Sequence, residues 1–344
     1  MKKAEFFLGS NSAGGFASLY DSFRDPKTEA LGIIKGGPGS GKSTFMSIIA
    51  QEAEKRGCEV EYIRCSGDPD SLDGIKIPAL RQCYADGTAP HVMEPVYAGS
   101  MDTYLDLSRF YDRKGLAGVH GEIMEATAAY KARYARAYAL MGSAGAALKA
   151  LTPALPEEAL ESAKRRARGI ALRELPAHGE RSVTRRYLSA VTCKGPTAFY
   201  GTVEALADKV YLLDNECGLA PVLLEELAGS ARTRAICCME PIFGRQIEHL
   251  ILPDLGLAFV SDSALVPYEG PCSRHLRLDA ALPSSVRKEA RGALKTASEL
   301  IDRAVEELRA AKAHHDRLES LYNPYVDFDG VRQSAREEAF RLFK

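Results

Sequence analysis

One octapeptide constrains this chain more than any other stretch: Gly36-Gly37-Pro38-Gly39-Ser40-Gly41-Lys42-Ser43, followed by Thr44. It satisfies G-x-x-x-x-G-K-[ST] in full. Glycines let the backbone curl so that successive N–H groups point at phosphate oxygens, the lysine reaches the terminal phosphates, and the hydroxyl of Ser43 suits Mg²⁺. The flanks agree. Ala30-Leu31-Gly32-Ile33-Ile34 is apolar and β-branched, as a buried strand should be. Phe45 to Arg56 carries apolar residues at helical spacing, a Lys-Arg last turn and the stop Gly57. Strand, glycine loop and helix in that order put the helix N-terminus at an anion site. Gly36, Gly37, Pro38, Gly39, Ser40, Gly41, Lys42, Ser43 and Thr44 are therefore the expected nucleotide-binding residues.

The remaining candidates lie downstream of the loop. Val60-Glu61-Tyr62-Ile63-Arg64-Cys65 reads as a second strand running into Ser66-Gly67-Asp68-Pro69-Asp70-Ser71-Leu72-Asp73-Gly74. In a doubly wound sheet the carboxyl ends of the strands share one crevice. Asp68, Asp70 and Asp73 would then stand at the rim of the nucleotide site, to orient water, bind Mg²⁺ or accept a proton. Asp and Ser also favour helix caps and polar turns on their own account. Gly87 to Pro95 offers a weak third strand ending in Glu94, a possible metal-side carboxylate, although Pro90 argues for an edge or a turn. His91, beside that proline, reads as structural. Ahead of the loop, Gly9-Ser10-Asn11-Ser12-Ala13-Gly14-Gly15-Phe16 leads into a short helix ending near Asp25-Pro26, and suits a connector or a backbone edge near the nucleotide.

From about Val119 the texture becomes helical. Ile123, Ala126, Tyr130, Tyr134, Tyr138 and Met141 share one face, which suits helix packing better than base stacking. Glu157 to Glu174 reads as a returning partner helix. The Lys and Arg residues between 164 and 186 form the chain's best basic run, which is a solvated face or a weakly supported nucleic-acid surface. Near the C-terminus Leu294, Ile301, Leu308, His315 and Tyr322 recur every seven residues, a coiled-coil-like seam that ends at Asn323-Pro324, with a short terminal helix after Gly330.

The chain also echoes itself. Gly195-Pro196-Thr197-Ala198-Phe199-Tyr200 repeats Gly15-Phe16-Ala17-Ser18-Leu19-Tyr20 at an offset of 180, and Val210 to Leu213 repeats Leu31 to Ile34 at 179. Cys237 to Pro241 matches Cys65 to Pro69 at 172, and Leu252-Pro253-Asp254-Leu255 matches Ile77-Pro78-Ala79-Leu80 at 175. Where the second loop should lie the chain reads Asp214-Asn215-Glu216-Cys217-Gly218-Leu219-Ala220-Pro221-Val222, with Pro221 and Val222 at the places of Lys42 and Ser43. A loop without lysine or hydroxyl, carrying two acids, repels phosphate. The expected fold class is α/β, a duplicated P-loop NTPase-like parallel sheet with helical insertions. The expected segments are 1–115 with the intact loop, 116–180 as a helical hairpin, 181–272 as the degenerate half and 273–344 as a C-terminal helical segment.

A formal net charge of −1 gives no bulk attraction to nucleic acid or anionic membrane. Eight cysteines without a C-x-x-C pair read as reduced thiols, and no leader or membrane-spanning run is evident, so a cytoplasmic location is expected.

The segments Gly9 to Phe16, the glycine loop, Cys65 to Gly74 and Ala311-Lys312-Ala313-His314-His315-Asp316-Arg317-Leu318-Glu319 together resemble a family of uncharacterised bacterial predicted ATPases, in which two P-loop halves each carry a helical segment. The resemblance implies ATP binding on a tandem P-loop fold. In that family the second half commonly keeps its own loop, and this chain departs from it there. The expected function is a Mg²⁺-dependent ATPase with one live site, with Lys42, Asp68, Asp70, Asp73 and Glu94 as candidate catalytic residues. Alternatives are a small-molecule or nucleotide kinase, and a non-catalytic module that grips a macromolecular partner when nucleotide binds. Neither a guanine-selecting Asn/Thr-Lys-x-Asp motif nor an ABC-type signature is present. Arg232, Arg234 or Arg245 is a possible arginine finger.

Overall fold

The structure is a computed structural model describing residues 3–24, 29–263 and 265–344. The end of the expected first short helix, at Asp25-Pro26, lies outside the described residues, as do Met1 and Lys2; the described part of that helix is one 3-10 turn, Tyr20–Ser22. The chain is α/β and divides into two compact units, each drawn from several segments. The loop unit comprises Tyr20–Ala137, Thr192–Lys194 and Glu306–Lys344, and the sister unit comprises Met1–Leu19, Tyr138–Val191 and Gly195–Val305.

In the loop unit five strands run side by side in the order Glu61–Arg64, Leu72–Ile77, Gln82–Asp86, Ala30–Lys35, Asp102–Asp106. The sheet is mixed, which corrects the expectation of a parallel one. Ala30–Lys35 is parallel to both neighbours, whereas Leu72–Ile77 is antiparallel to the strands on either side of it. The central strand buries Leu31, Ile33 and Ile34 almost completely, as a strand covered on both faces must. Gly32 is there because a Cβ would stand 2.5 Å from the Tyr84 ring of the next strand. The loop helix Lys42–Lys55 buries Phe45, Met46, Ile49, Ala50 and Ala53. Against it packs the terminal helix Phe328–Leu342 through Val331, Ala335 and Ala339, one face at steps of four. That helix starts before Gly330 because the Asp327 carboxylate caps it, accepting from the Gly330 N–H at 2.9 Å.

The sister unit holds a six-stranded sheet in the order Arg274–Leu276, Lys209–Asp214, Leu257–Asp262, Ile247–Leu252, Arg234–Met239, Ser182–Arg186. Its first five strands repeat the loop unit's five in the same sequence of neighbours and directions. Ala30 pairs with Gln82 in one sheet and Lys209 with Leu257 in the other. Ile77 pairs with Gln82, and Leu252 with Leu257. Even the irregularities recur: the ladder shifts between Ile63 and Arg64 and again between Cys238 and Met239. Both sheets then turn through a Pro-led 3-10 segment, Pro78–Leu80 or Pro253–Leu255, into a left-handed residue, Arg81 at φ 51° or Gly256 at φ 57°. The fold is duplicated. The ladders also correct one sequence match: Cys65 corresponds to Glu240, not to Cys237, because the paired strands keep an offset of 175 through this region.

Helix Glu157–Glu174 is present over the expected span, but its buried residues Ala163, Ala167 and Ile170 pack on the sister unit's Ala220–Ser230 helix, through Leu223, Leu224 and Leu227. The basic run does not form one solvated face: Arg186 is fully buried, Arg168 pairs with Glu226 at 2.9 Å, and Lys164 pairs with Glu161 at 2.8 Å. The long helices His120–Leu151 and Ser284–Tyr322 carry the two expected stripes, with Ile301, Ala304, Leu308, Ala311 and Leu318 buried along the second. No helix among the described residues is long and apolar enough to cross a membrane.

Candidate functional site

Strand Ala30–Lys35 delivers the chain into the glycine loop, and the loop delivers it into the helix that starts at Lys42. Two glycines make that turn possible. Gly39 at φ 66° and Gly41 at φ 84° occupy left-handed backbone that an L side chain strains to adopt. The Lys42 side chain folds back over the loop and donates to the carbonyl oxygens of Gly36 at 2.8 Å and Gly37 at 2.9 Å. Only 12% of that side chain is exposed, and its ammonium stands 3.5 Å from the Asp86 carboxylate. The Ser43 hydroxyl oxygen accepts the Leu72 N–H at 3.1 Å and keeps a lone pair.

Asp86 is an acid that the sequence alone does not single out. It closes strand Gln82–Asp86, which runs parallel to the loop strand, so its carboxylate emerges at the same sheet end as the loop. Its other oxygen accepts from the Thr88 N–H at 2.8 Å and the Thr88 hydroxyl at 2.6 Å, which fixes the rotamer. The signal was the short run Cys83-Tyr84-Ala85 before the acid: all three side chains are fully buried. The segment 87–95, read as a weak strand, contains no strand.

The other sequence candidates stand in different surroundings. Asp68 forms an ion pair with Lys312 at 3.3 Å. Asp70 is exposed, paired with Lys194 at 2.5 Å, and that lysine holds its carboxyl below the ordinary carboxylate range. Asp73 lies on strand Leu72–Ile77, because the strand begins inside what reads as a polar loop. It is buried, and its carboxyl faces the His91 ring at 3.2 Å. Burial pushes Asp73 upward, and His91 opposes the shift. Glu94 is 68% exposed, lies 3.8 Å from Lys35 and accepts from the Tyr104 hydroxyl.

The outer face of the loop is closely packed. A Cβ on Gly37 would stand 3.1 Å from the Tyr111 hydroxyl. One on Gly39 would stand 2.8 Å from Asn323 Oδ1 and 3.3 Å from the Glu319 carbonyl oxygen, and one on Gly41 would meet Val331 at 3.1 Å. The hydroxyls of Ser40 and Tyr111 are buried here, beside one another and the Gly37 backbone. A cleft of about 400 Å³ elsewhere in this unit, lined by Gln51, Lys55, Arg336 and Phe340, runs along the later turns of the loop helix rather than its N-terminus.

The sister unit lacks each of these groups. Its connection from Asp214 to the helix at Ala220 has five residues where the loop has six, so Ala220 and Pro221 open the helix where Lys42 and Ser43 do. This shifts the sequence match at that point by one position. Ser261 stands at the place of Asp86. The groups that remain are acidic: Asp214 contacts His275 at 2.6 Å, Glu216 lies 3.8 Å from Arg291, and buried Asp279 accepts from the Cys217 N–H at 3.3 Å. Comparison with protein-family models, curated proteins and solved structures gives no match for this chain.

Proposed function

We propose that the loop unit binds ATP with Mg²⁺ and hydrolyses it, one nucleotide per chain. The observation that carries this reading is the juxtaposition of Lys42 and Asp86 at 3.5 Å, over a left-handed glycine turn, at the shared end of two parallel strands. Lys42, released from the Gly36 and Gly37 carbonyls, neutralises phosphate charge. The loop's N–H groups and the helix N-terminus hold the phosphates. Ser43 and Asp86 are the residues that would hold Mg²⁺, which supplies charge neutralisation on the transferring phosphoryl group when bound. The sister unit, without lysine, hydroxyl or equivalent acid, serves as scaffold.

The test is ATP binding and hydrolysis by wild type, Lys42→Ala and Asp86→Asn, with ADP and phosphate both quantified. Turnover should fall about 10²-fold or more in either variant, the size expected when a preorganised charged group is withdrawn from a transition state. Wild-type protein that binds no ATP in the presence of Mg²⁺ would sink the reading.

A further inference from the structure

Beside the glycine loop lies a second group of side chains that nucleotide binding does not use. Cys65, Asp73 and His91 each bring one donor atom to a common point, and the three atoms all lie within 4.8 Å of one another. We propose that these residues form a site for a thiophilic divalent cation of the zinc class, separate from the Mg²⁺ of the nucleotide.

Three independent stretches converge to build it. Cys65 follows strand Glu61–Arg64 directly after the irregularity between Ile63 and Arg64. Its backbone is held by the Cys65 N–H donating to the Ser71 carbonyl at 3.1 Å. Asp73 lies on the neighbouring antiparallel strand as the extra residue of that irregularity, between the pairs Arg64–Leu72 and Ile63–Gly74, and a bulge re-aims the side chain it carries. His91 sits in the turn after Asp86, its N–H donating to the Thr88 carbonyl at 2.8 Å and its ring against Tyr20 at 4.9 Å between centroids. The site is therefore anchored by backbone on all three sides.

The geometry and donor chemistry suit the ion. His91 Nε2 and Asp73 Oδ2 stand 3.2 Å apart. Two donors each about 2.0–2.1 Å from a tetrahedral ion stand about 3.3 Å apart, so these two need almost no movement. A thiolate ligand at about 2.3 Å needs only a modest approach of the sulfur. Thiolate, imidazole and carboxylate together select a borderline-soft metal, whereas Mg²⁺ prefers oxygen donors alone.

The sister unit supplies an internal contrast. At the place of Asp73 stands Glu248, which accepts from the Ser189 hydroxyl at 2.6 Å and faces His249 at 3.2 Å. At the place of Cys65 stands Glu240, which is spent on the N–H groups of Ile242 and Phe243 at 2.9 and 2.8 Å. An acid–histidine pair is thus common to both units, and the sister unit satisfies its acid with a hydroxyl. In the loop unit the Cys65 thiol lies beside the Asp73 carboxylate, together with the Tyr20 hydroxyl. A thiol is a weak hydrogen-bond donor but a strong metal ligand as thiolate.

The inference does not depend on the nucleotide reading and is tested without nucleotide. Tag-free full-length protein is stripped of metal, then titrated with Co²⁺ and separately with Zn²⁺ in competition with a chromophoric chelator. One equivalent of Co²⁺ should bind, with thiolate-to-metal charge-transfer absorption that excess Mg²⁺ leaves in place. Cys65→Ser should lose that absorption and weaken Zn²⁺ binding at least tenfold, while Cys272→Ser, which removes the exposed thiol, should behave as wild type. Circular dichroism of Cys65→Ser in metal-free buffer checks that the fold survives, and His91→Ala gives the same readout from a second ligand. Absence of thiolate–Co²⁺ absorption in the wild type, or its persistence in Cys65→Ser, would overturn the assignment.

Discussion

The Gly39→Ala substitution asks whether the C-terminal segment holds the glycine loop in shape. Two costs can be worked from the structure. The first is backbone strain: at φ 66° an alanine pays about 1 kcal/mol for left-handed geometry. The second is steric. The new methyl would stand 2.8 Å from Asn323 Oδ1, which can swing away, but also 3.3 and 3.4 Å from the Glu319 carbonyl oxygen and Cα, which are helix backbone and cannot. Overpacking against an unyielding wall costs roughly 1–3 kcal/mol. The control is Gly57→Ala, at φ 78° with nothing within 4 Å of the added Cβ. It carries the strain alone, about 1 kcal/mol. Urea unfolding followed by circular dichroism should therefore place Gly39→Ala about 1–3 kcal/mol below Gly57→Ala. ATP affinity should fall in the first variant and hold in the second, because only the first disturbs the N–H cradle. Equal destabilisation of the two would refute the clamp and leave Asn323 and Glu319 as bystanders.

Arg81 and Gly256 occupy the same left-handed position of the two sheets, so Arg81→Gly should cost nothing or stabilise by up to about 1 kcal/mol, while Gly256→Ala should destabilise by about that amount, both read from urea midpoints. Asp102 is buried beside Arg24 and accepts from the Val96 and Tyr97 N–H groups at 2.7 and 2.8 Å. Burial alone would raise its carboxyl; the Tyr97 N–H, the Arg24 guanidinium and the Val96 N–H outweigh that and hold it below the ordinary range. A lowered folded-state pKa contributes stability that is complete above the unfolded value, about 4, and is lost as the pH falls through the folded one. Asp102→Asn should therefore cost about 3 kcal/mol at pH 7, and the gap to wild type should stay level down to about pH 5 and shrink below 4. A gap that widens on acidification would contradict the ion pair.

How much of this was legible beforehand depended on whether a signal was local. The glycine loop was readable because its chemistry is contiguous and its flanks are a buried strand and an amphipathic helix. The long stripes were readable for the same reason: a run of Ile301, Ala304, Leu308 and Ala311 states its own period. Asp86 was not, because the acid is preceded by only Cys83, Tyr84 and Ala85, and its mark is the parallel pairing with Ala30–Lys35, in which partners stand 52 positions apart in sequence. Asp73 reads as a loop residue for a related reason. Nothing in Asp-Pro-Asp-Ser-Leu-Asp-Gly announces a strand, and the antiparallel ladder on both sides imposes one. The repeat showed in outline, but short matches drifted: aligning Pro69 with Pro241 put Cys65 opposite Cys237, and only the shared ladder shift sets Cys65 opposite Glu240.

That register shows how the sister unit keeps the fold without the loop's lysine, hydroxyl and acid, and it yields a last expectation. Packing needs the buried strands, the helix faces and the left-handed turn, and the sister unit keeps all of them, down to Gly218 at φ 84°. Phosphate chemistry needs only three side chains, and their places are held by Ala220, Pro221 and Ser261, none of which disturbs the core. Restoring them should still fail. The sister connection is one residue shorter, so its N–H groups cannot form the same ring, and Asp214, Glu216 and buried Asp279 place negative charge where phosphate would sit. The triple variant Ala220→Lys, Pro221→Ser, Ser261→Asp should therefore bind ATP with the stoichiometry of the wild type when titrated calorimetrically, and Lys42→Ala in that background should abolish binding. A second equivalent of ATP would show that side-chain identity alone, rather than loop length and local charge, separates the two units.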